Sequence, residues 1–297
     1  MRYPAFVASL TSDPTFTATA LALGLAVVVV LVAATVRQWR RKPAVRGDEA
    51  NDGAPQALYE QGAGRVSIMP YRRIDLIGVA WIGGIYVWLS LAQVAASAGA
   101  DVGERTIGMA DLWVSILFQG FMATIVVFVM WPRLGPVDWL GLRPASWRSV
   151  LMFAPISVGL MWIVFAILQG VGYVNWIESL GVETMQESVR TLRSERDFPL
   201  LGLMGFTAVV VAPVCEEIIF RGYLYGVAKR FCGPFAAALA TSLAFAAAHA
   251  SLMALLPLAL FGLLLAWLYE RTGSIWAPIA AHACFNAATV TIQLAIR

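Results

Sequence analysis

Glu216 and Glu217, Arg221, and the chain's two histidines, His249 and His282, are the residues of this sequence whose types and spacing could do chemistry. All five lie in or beside segments apolar enough to be embedded in a membrane. An ionisable group in hydrocarbon costs at least ~2.5–3.5 kcal/mol even on a forgiving insertion scale, so a cluster of them needs a purpose. Glu217 and Arg221, four apart, share a helical face and can pair. Glu216 is turned about 100° away from Glu217 on a helix, which leaves its carboxylate free to face something else. The spacing assigns bracing to Glu217 and Arg221, and chemistry to Glu216. His249 ends Phe245-Ala-Ala-Ala-His249, and His282 opens His282-Ala-Cys-Phe-Asn286. In each the outer two residues share a helical face. A lone histidine on an apolar helix is more often a hydrogen-bonded core residue. Two histidines, an asparagine and the Glu-Glu-x-x-x-Arg run in consecutive apolar segments point instead to one interior cavity.

The elements that must hold these groups are membrane-spanning helices. The chain of 297 residues is 60% hydrophobic and 13% charged, with a mean hydropathy of +0.74, where a soluble domain carries about 25% charge. The expected fold is an all-α polytopic membrane protein, a bundle of about eight transmembrane helices. Thr17–Val36 is followed at once by the basic run Arg37 to Lys42, the order of a spanning helix rather than of a signal peptide. Residues 43–73 are expected to form a flexible cytoplasmic linker. Seven further apolar segments follow, at 74–96, 110–131, 150–171, 200–225, 235–249, 252–269 and 275–295, most of them near the ~20 residues a span needs. Residues 74–194 read as supporting helices with an amphipathic outer loop over Trp176–Arg196, and 195–297 as the chemical core. Basic residues such as Arg133, Arg143, Lys229 and Arg271 place alternate loops inside, with both termini outside. On straight helices Glu216 falls near the inner face and His249 near the outer one, so convergence requires tilt, or a break at Gly222 and Gly226. The plainer role of those two glycines is close helix packing. Pro213, three residues before Glu216, is expected to kink the helix or open its backbone beside the site.

Glu216-Glu217-x-x-x-Arg221, Phe245-x-x-x-His249 and His282-x-x-x-Asn286, in that order and in adjacent apolar segments, resemble the three motifs of the CPBP (Abi) superfamily. That superfamily includes type II CAAX prenyl endopeptidases and bacteriocin-processing proteins, and the similarity covers roughly residues 195–297. The resemblance implies an intramembrane endopeptidase acting on a membrane-associated or prenylated (CAAX-type) protein or peptide. It implies Glu216 as general base, His249 orienting the attacking water, His282 and Asn286 stabilising the oxyanion, and Glu217, Arg221 and Phe245 in support. The superfamily is often catalogued as metalloproteases, and Glu216, His249 and His282 could serve as zinc ligands with an open position. Three separate helices with no preset His-Glu-x-x-His spacing argue the other way, so no cofactor is favoured and zinc stays as the alternative.

Cys215 adjoins Glu216 but has no basic neighbour to activate it, and reads as a small buried filler. Three cysteines without paired spacing argue against a disulfide framework. The net charge of +3 is explained by basic loops and gives no reason to expect a nucleic-acid partner. The expected surroundings are the lipid bilayer, as a multi-pass protein of a prokaryotic plasma membrane. Two rival classes are a proton-coupled transporter and a non-catalytic scaffold, such as an immunity or regulatory protein of the Abi type. A transporter would spread ionisable groups along more spans, and a scaffold would tolerate loss of the Glu216 charge.

Overall fold

The computed structural model describes residues 14–40, 65–97, 107–181 and 185–296, and every regular element among them is helical. The order is α1 (Pro14–Arg40), α2 (Asp75–Ser97), α3 (Met109–Met130), α4 (Pro136–Trp139), α5 (Trp147–Gly170), α6 (Tyr173–Ser179), α7 (Glu187–Ser194), α8 (Phe198–Cys232), α9 (Pro234–Ala247), α10 (Leu252–Thr272) and α11 (Trp276–Ala295). Each of the eight apolar segments is a helix. α1, α3, α5, α8 and α10 are long and apolar enough to cross a membrane. The apolarity of α11 is diluted by His282, Asn286 and Gln293. Large apolar side chains such as Leu117, Phe121, Phe128, Leu151 and Ile163 face outward, as lipid-facing surfaces require. Together these features make the chain an integral, multi-pass, all-α membrane protein.

Three sequence expectations change. First, α8 does not break at Gly222 and Gly226. It runs unbroken for 35 residues and is widened by two π-helical stretches, Thr207–Val211 and Ile218–Tyr225, on either side of the Glu-Glu pair. Such wide turns recur at functional positions in α-helices.

Secondly, His249 is not on the helix that carries Phe245. α9 ends at Ala247, and His249 follows in a turn closed by its own N–H to Ala246 O at 3.2 Å. Ala250 takes φ +44°, the left-handed conformation that stops a helix but disfavours a Cβ. α9 has 14 residues and rises about 21 Å at ~1.5 Å per residue, short of a hydrocarbon thickness of ~30 Å. Glu216 and His249 line one cavity, so the expected mismatch between their positions does not arise.

Thirdly, the end of the stretch read as a flexible linker, 65–73, is packed. Val66, Ile68 and Tyr71 are buried, and Lys229 Nζ donates to Val66 O at 2.7 Å. Tyr71 donates its hydroxyl to Gly222 O and accepts from Trp139 Nε1. A Cβ on Gly226 would fall within the Tyr71 ring, and one on Gly222 would lie 2.8 Å from Leu140 Cδ2. The two glycines thus admit side chains from loop segments rather than a facing helix. Residues 41–64, the rest of the expected linker, lie outside the described residues. The outer loop forms α6 and the amphipathic α7, which buries Thr191 and Leu192.

Candidate active site

Glu217 is fully buried, and its Oε1 is the hub of the site. It accepts from Arg221 Nη1 at 2.8 Å and faces His282 Nδ1 at 2.9 Å. A carboxylate only accepts, so the hydrogen of that second bond belongs to His282 Nδ1. Arg221 is equally buried. Its Nη2 donates to Gly262 O at 3.2 Å, and its guanidinium lies 4.5 Å from the centre of the Phe245 ring. The carbonyl of Gly262 can approach because α9 and α10 touch closely there: a Cβ on Gly262 would lie 2.9 Å from Ser242 Cβ. Arg221 is therefore held by an anion, a backbone carbonyl and an aromatic face.

Phe245 is buried at the centre of the site. It meets the His249 ring at 4.9 Å and the His282 ring at 5.8 Å between centroids, both edge-on. Phe261 closes the other side of His282, with centroids 5.5 Å apart. These contacts lock the imidazoles in place without consuming their nitrogens.

Glu216 has a different environment. Its side chain is 18% exposed, and its Oε2 has no hydrogen-bond partner among the described residues. That oxygen lies 4.0 Å from His282 Nε2. Glu216, His249, His282 and Asn286 all line one cavity of about 830 Å³, whose walls include Trp162, Phe165, Met253 and Phe285. His249 Nδ1 lies 2.8 Å from Phe245 O. A carbonyl can only accept, so Nδ1 carries the hydrogen and Nε2 of the neutral ring remains an acceptor.

Asn286 is positioned by an interruption in the α8 backbone. In the first π stretch the N–H of Ala212 reaches back five residues, to Thr207 O. The next N–H in that pattern, which would serve Ala208 O, belongs to position 213. Pro213 has no N–H, so Ala208 O is left to Asn286 Nδ2, which donates to it at 2.7 Å. One N–H of the amide is thereby fixed while the second remains available to a ligand. Pro213 gave a sequence signal for the opened backbone. Ala208, Gly262 and Phe261 gave none, because two act through backbone carbonyls and the third is one apolar residue among many.

The seven residues singled out from the sequence thus form one connected cluster. In the zinc set drawn from Glu216, His249 and His282, one pair of donor atoms stands wider apart than in a tetrahedral site. Tetrahedral zinc with ~2.0–2.1 Å bonds holds its donor atoms about 3.3 Å apart, against the 4.0 Å between Glu216 Oε2 and His282 Nε2. Among the described residues no three His, Cys, Asp or Glu side chains are grouped to hold a metal ion.

Residues 198–288, which span α8 to most of α11, match the family model described as "Type II CAAX prenyl endopeptidase Rce1-like". The chain is 30% identical over 207 residues to a Bacillus subtilis (strain 168) protein named "Putative membrane peptidase YdiL", a match covering 69% of this chain and 80% of that relative. It is also 30% identical over 166 residues to an "Uncharacterized 24.3 kDa protein" of Escherichia coli, covering 54% of this chain and 71% of the relative. No solved structure matches the chain. With a relative 30% identical and matched over four-fifths of that relative's length, the chain belongs to the CPBP family of membrane peptidases.

Proposed function

We propose that the chain is an intramembrane endopeptidase that hydrolyses a peptide bond of a membrane-associated or prenylated, CAAX-type protein or peptide, using its own side chains and no metal. The observation that carries this reading is the contrast between the two adjacent glutamates. Glu217 gives its Oε1 to Arg221 and His282 and does not line the cavity, while Glu216 presents an unpartnered oxygen beside His282 in the shared cavity.

In this mechanism a water held between Glu216 and His249 Nε2 gives a proton to Glu216 as its oxygen adds to the scissile carbonyl carbon. The carbonyl π electrons move to oxygen, and the free N–H of Asn286 and His282 Nε2–H stabilise the oxyanion. For His282 to donate there, both ring nitrogens must carry hydrogen, with Glu217 accepting from Nδ1. The tetrahedral intermediate collapses, the C–N bond breaks, and Glu216 returns its proton to the leaving amine. Glu216 thus ends each cycle ionised, and the net reaction consumes one water. Arg221 supplies the counter-charge to Glu217, so that the adjacent carboxylates do not compete for one proton.

The test is a comparison of membrane and secreted peptide termini in cells carrying wild type or Glu216→Gln. New termini present with wild type and absent with the variant, at equal amounts of folded, inserted protein, support the peptidase and identify its substrate. A wild-type phenotype retained by Glu216→Gln, with identical termini, overturns it in favour of the scaffold.

A further inference from the structure

At one end of the bundle the loops bond to one another. Lys229 and Arg230, near the end of α8, donate to Val66 O at 2.7 Å and to Ile68 O at 3.3 Å. Arg37 of α1 donates to Lys229 O at 3.2 Å. Arg133, just past α3, pairs with Asp75 at the start of α2. Ile275 N, between α10 and α11, donates at 2.9 Å to Leu140 O, between α4 and α5. The segments that meet here are the basic ones. They hold the run Arg37 to Lys42, Arg72 and Arg73, Arg133, Arg143 and Arg148, Lys229 and Arg230, and Arg271.

The cavity lies at the other end. Gln169 at the end of α5, Met185 before α7 and Ser188 on it line the cavity and are exposed. That end is tied together by the Tyr173 hydroxyl, which donates to Leu252 O at 3.1 Å, and by Ile107 N, which donates to Thr191 Oγ1 at 3.4 Å. The lining residues nearest the basic end are Glu216 on α8, Phe261 on α10 and His282 on α11. Phe220, Leu265 and Ala277, each closer still to the basic end of its helix, are buried, and Tyr71, Trp139, Tyr225 and Tyr269 fill the bundle beyond them. Among the described residues, none from the basic loops lines the cavity. It is a pit closed toward the basic loops, with its reactive groups on the floor.

We infer that the pit opens on the outer face of the membrane, and that its substrate is a polypeptide segment presented at the outer leaflet rather than a prenylated tail in the cytoplasm. Short loops rich in Lys and Arg are retained on the cytoplasmic side, and acidic residues weigh little in that choice. The mouth end carries the smaller share of the basic residues, Arg190, Arg193 and Arg196, with Arg105 between α2 and α3 in the sequence. The nature of the occupant rests on the peptidase reading; the side on which the pit opens does not.

The experiment labels the full-length chain in intact cells with a membrane-impermeant maleimide, after Cys215, Cys232 and Cys284 are changed to alanine. One reporter is Ser188→Cys at the mouth, and the other is Ala145→Cys, exposed among the basic loops. Ser188→Cys should label equally before and after the cells are permeabilised, and Ala145→Cys only after. Any other pattern overturns the inference. A second measurement needs no cysteine change. α11 ends at the mouth end of the bundle, so alkaline phosphatase fused after Arg297 should be active, its disulfides forming only outside the cytoplasm. An inactive fusion, present at the same level, overturns the inference as well. When peptide termini are compared between wild type and Glu216→Gln, the Glu216-dependent cuts should fall in extracytoplasmic segments. Cuts in cytoplasmic segments, prenylated tails included, refute the assigned substrate. Outward labelling with no Glu216-dependent cut leaves the side of the mouth standing and removes the peptidase reading instead.

Discussion

Replacing Glu217 with glutamine should unfold the site, whereas the same change one residue earlier should leave it standing. Arg221 is 1% exposed and Glu217 0%, and removing one charge from such a pair leaves the other buried and uncompensated, at a cost of about 3–5 kcal/mol. Two contacts of Arg221 survive the change, the carbonyl of Gly262 at 3.2 Å and the face of Phe245 at 4.5 Å. A desolvated cation–π contact holds ~2 kcal/mol on its own, so the expected loss is near the lower end, about 3 kcal/mol. Against that, Glu217 Oε1 serves both Arg221 and His282, and a neutral amide oxygen is a weaker acceptor for both. Glu216 Oε2 has no partner to lose, so Glu216→Gln should stay within ~1 kcal/mol of wild type. The assay is denaturant unfolding in detergent, followed by circular dichroism, of wild type, the two single variants, Arg221→Met and the Glu217→Gln/Arg221→Met double variant. The double variant should recover part of the loss, because it removes both charges. Equal midpoints for the two glutamate variants, or a double variant no better than Glu217→Gln, would refute the division of labour between them.

Three further predictions concern the frame around that hub. Pro213→Ala restores an N–H that can bond Ala208 O and compete with Asn286 Nδ2; kcat should fall about tenfold with KM nearly constant, although loss of a helix-interior proline does not weaken the helix. Unchanged kcat would remove the assigned role of Ala208. Gly226→Ala should destabilise by about 1–3 kcal/mol through overpacking against Tyr71, seen as a lower unfolding midpoint, and should cost nothing further in a Tyr71→Ala background. Incubation of the purified peptidase with phenanthroline should leave its rate unchanged; a loss that added zinc restores would require a ligand arrangement other than this one.

The site was legible in the sequence to the extent that its groups are rare. Two histidines in 297 residues, each in an apolar segment, are conspicuous, and a Glu and an Arg at i,i+4 in hydrocarbon are there to pair with each other. Backbone events were harder to read. Phe245-Ala-Ala-Ala-His249-Ala250 contains no glycine or proline to end a helix, so the segment reads as helical through His249. The turn comes instead from Ala250 at φ +44°, a conformation costing a non-glycine residue roughly 1–2 kcal/mol and held by the packing around it. The π turns of α8 leave no compositional trace either. Residues 65–73 look like linker because their polar and small residues dominate, yet Val66, Ile68 and Tyr71 alone suffice to dock the segment.

The paired glutamates and the opened backbone answer one constraint of the membrane interior. Polar groups there must be satisfied or be in use. Glu217 Oε1, Arg221 and the Nδ1 edge of His282 bond one another and form a buried support. The carbonyl freed by Pro213 is satisfied by Asn286. Facing the cavity outside these pairings are Glu216 Oε2, His249 Nε2, His282 Nε2 and one N–H of Asn286. An acceptor for a water proton and donors for an oxyanion are the complement of a peptide bond under hydrolysis. A scaffold would need the support and none of the remainder. The remainder is therefore where substitution separates the two readings: Glu216→Gln should abolish turnover while the fold, carried by Glu217 and Arg221, persists.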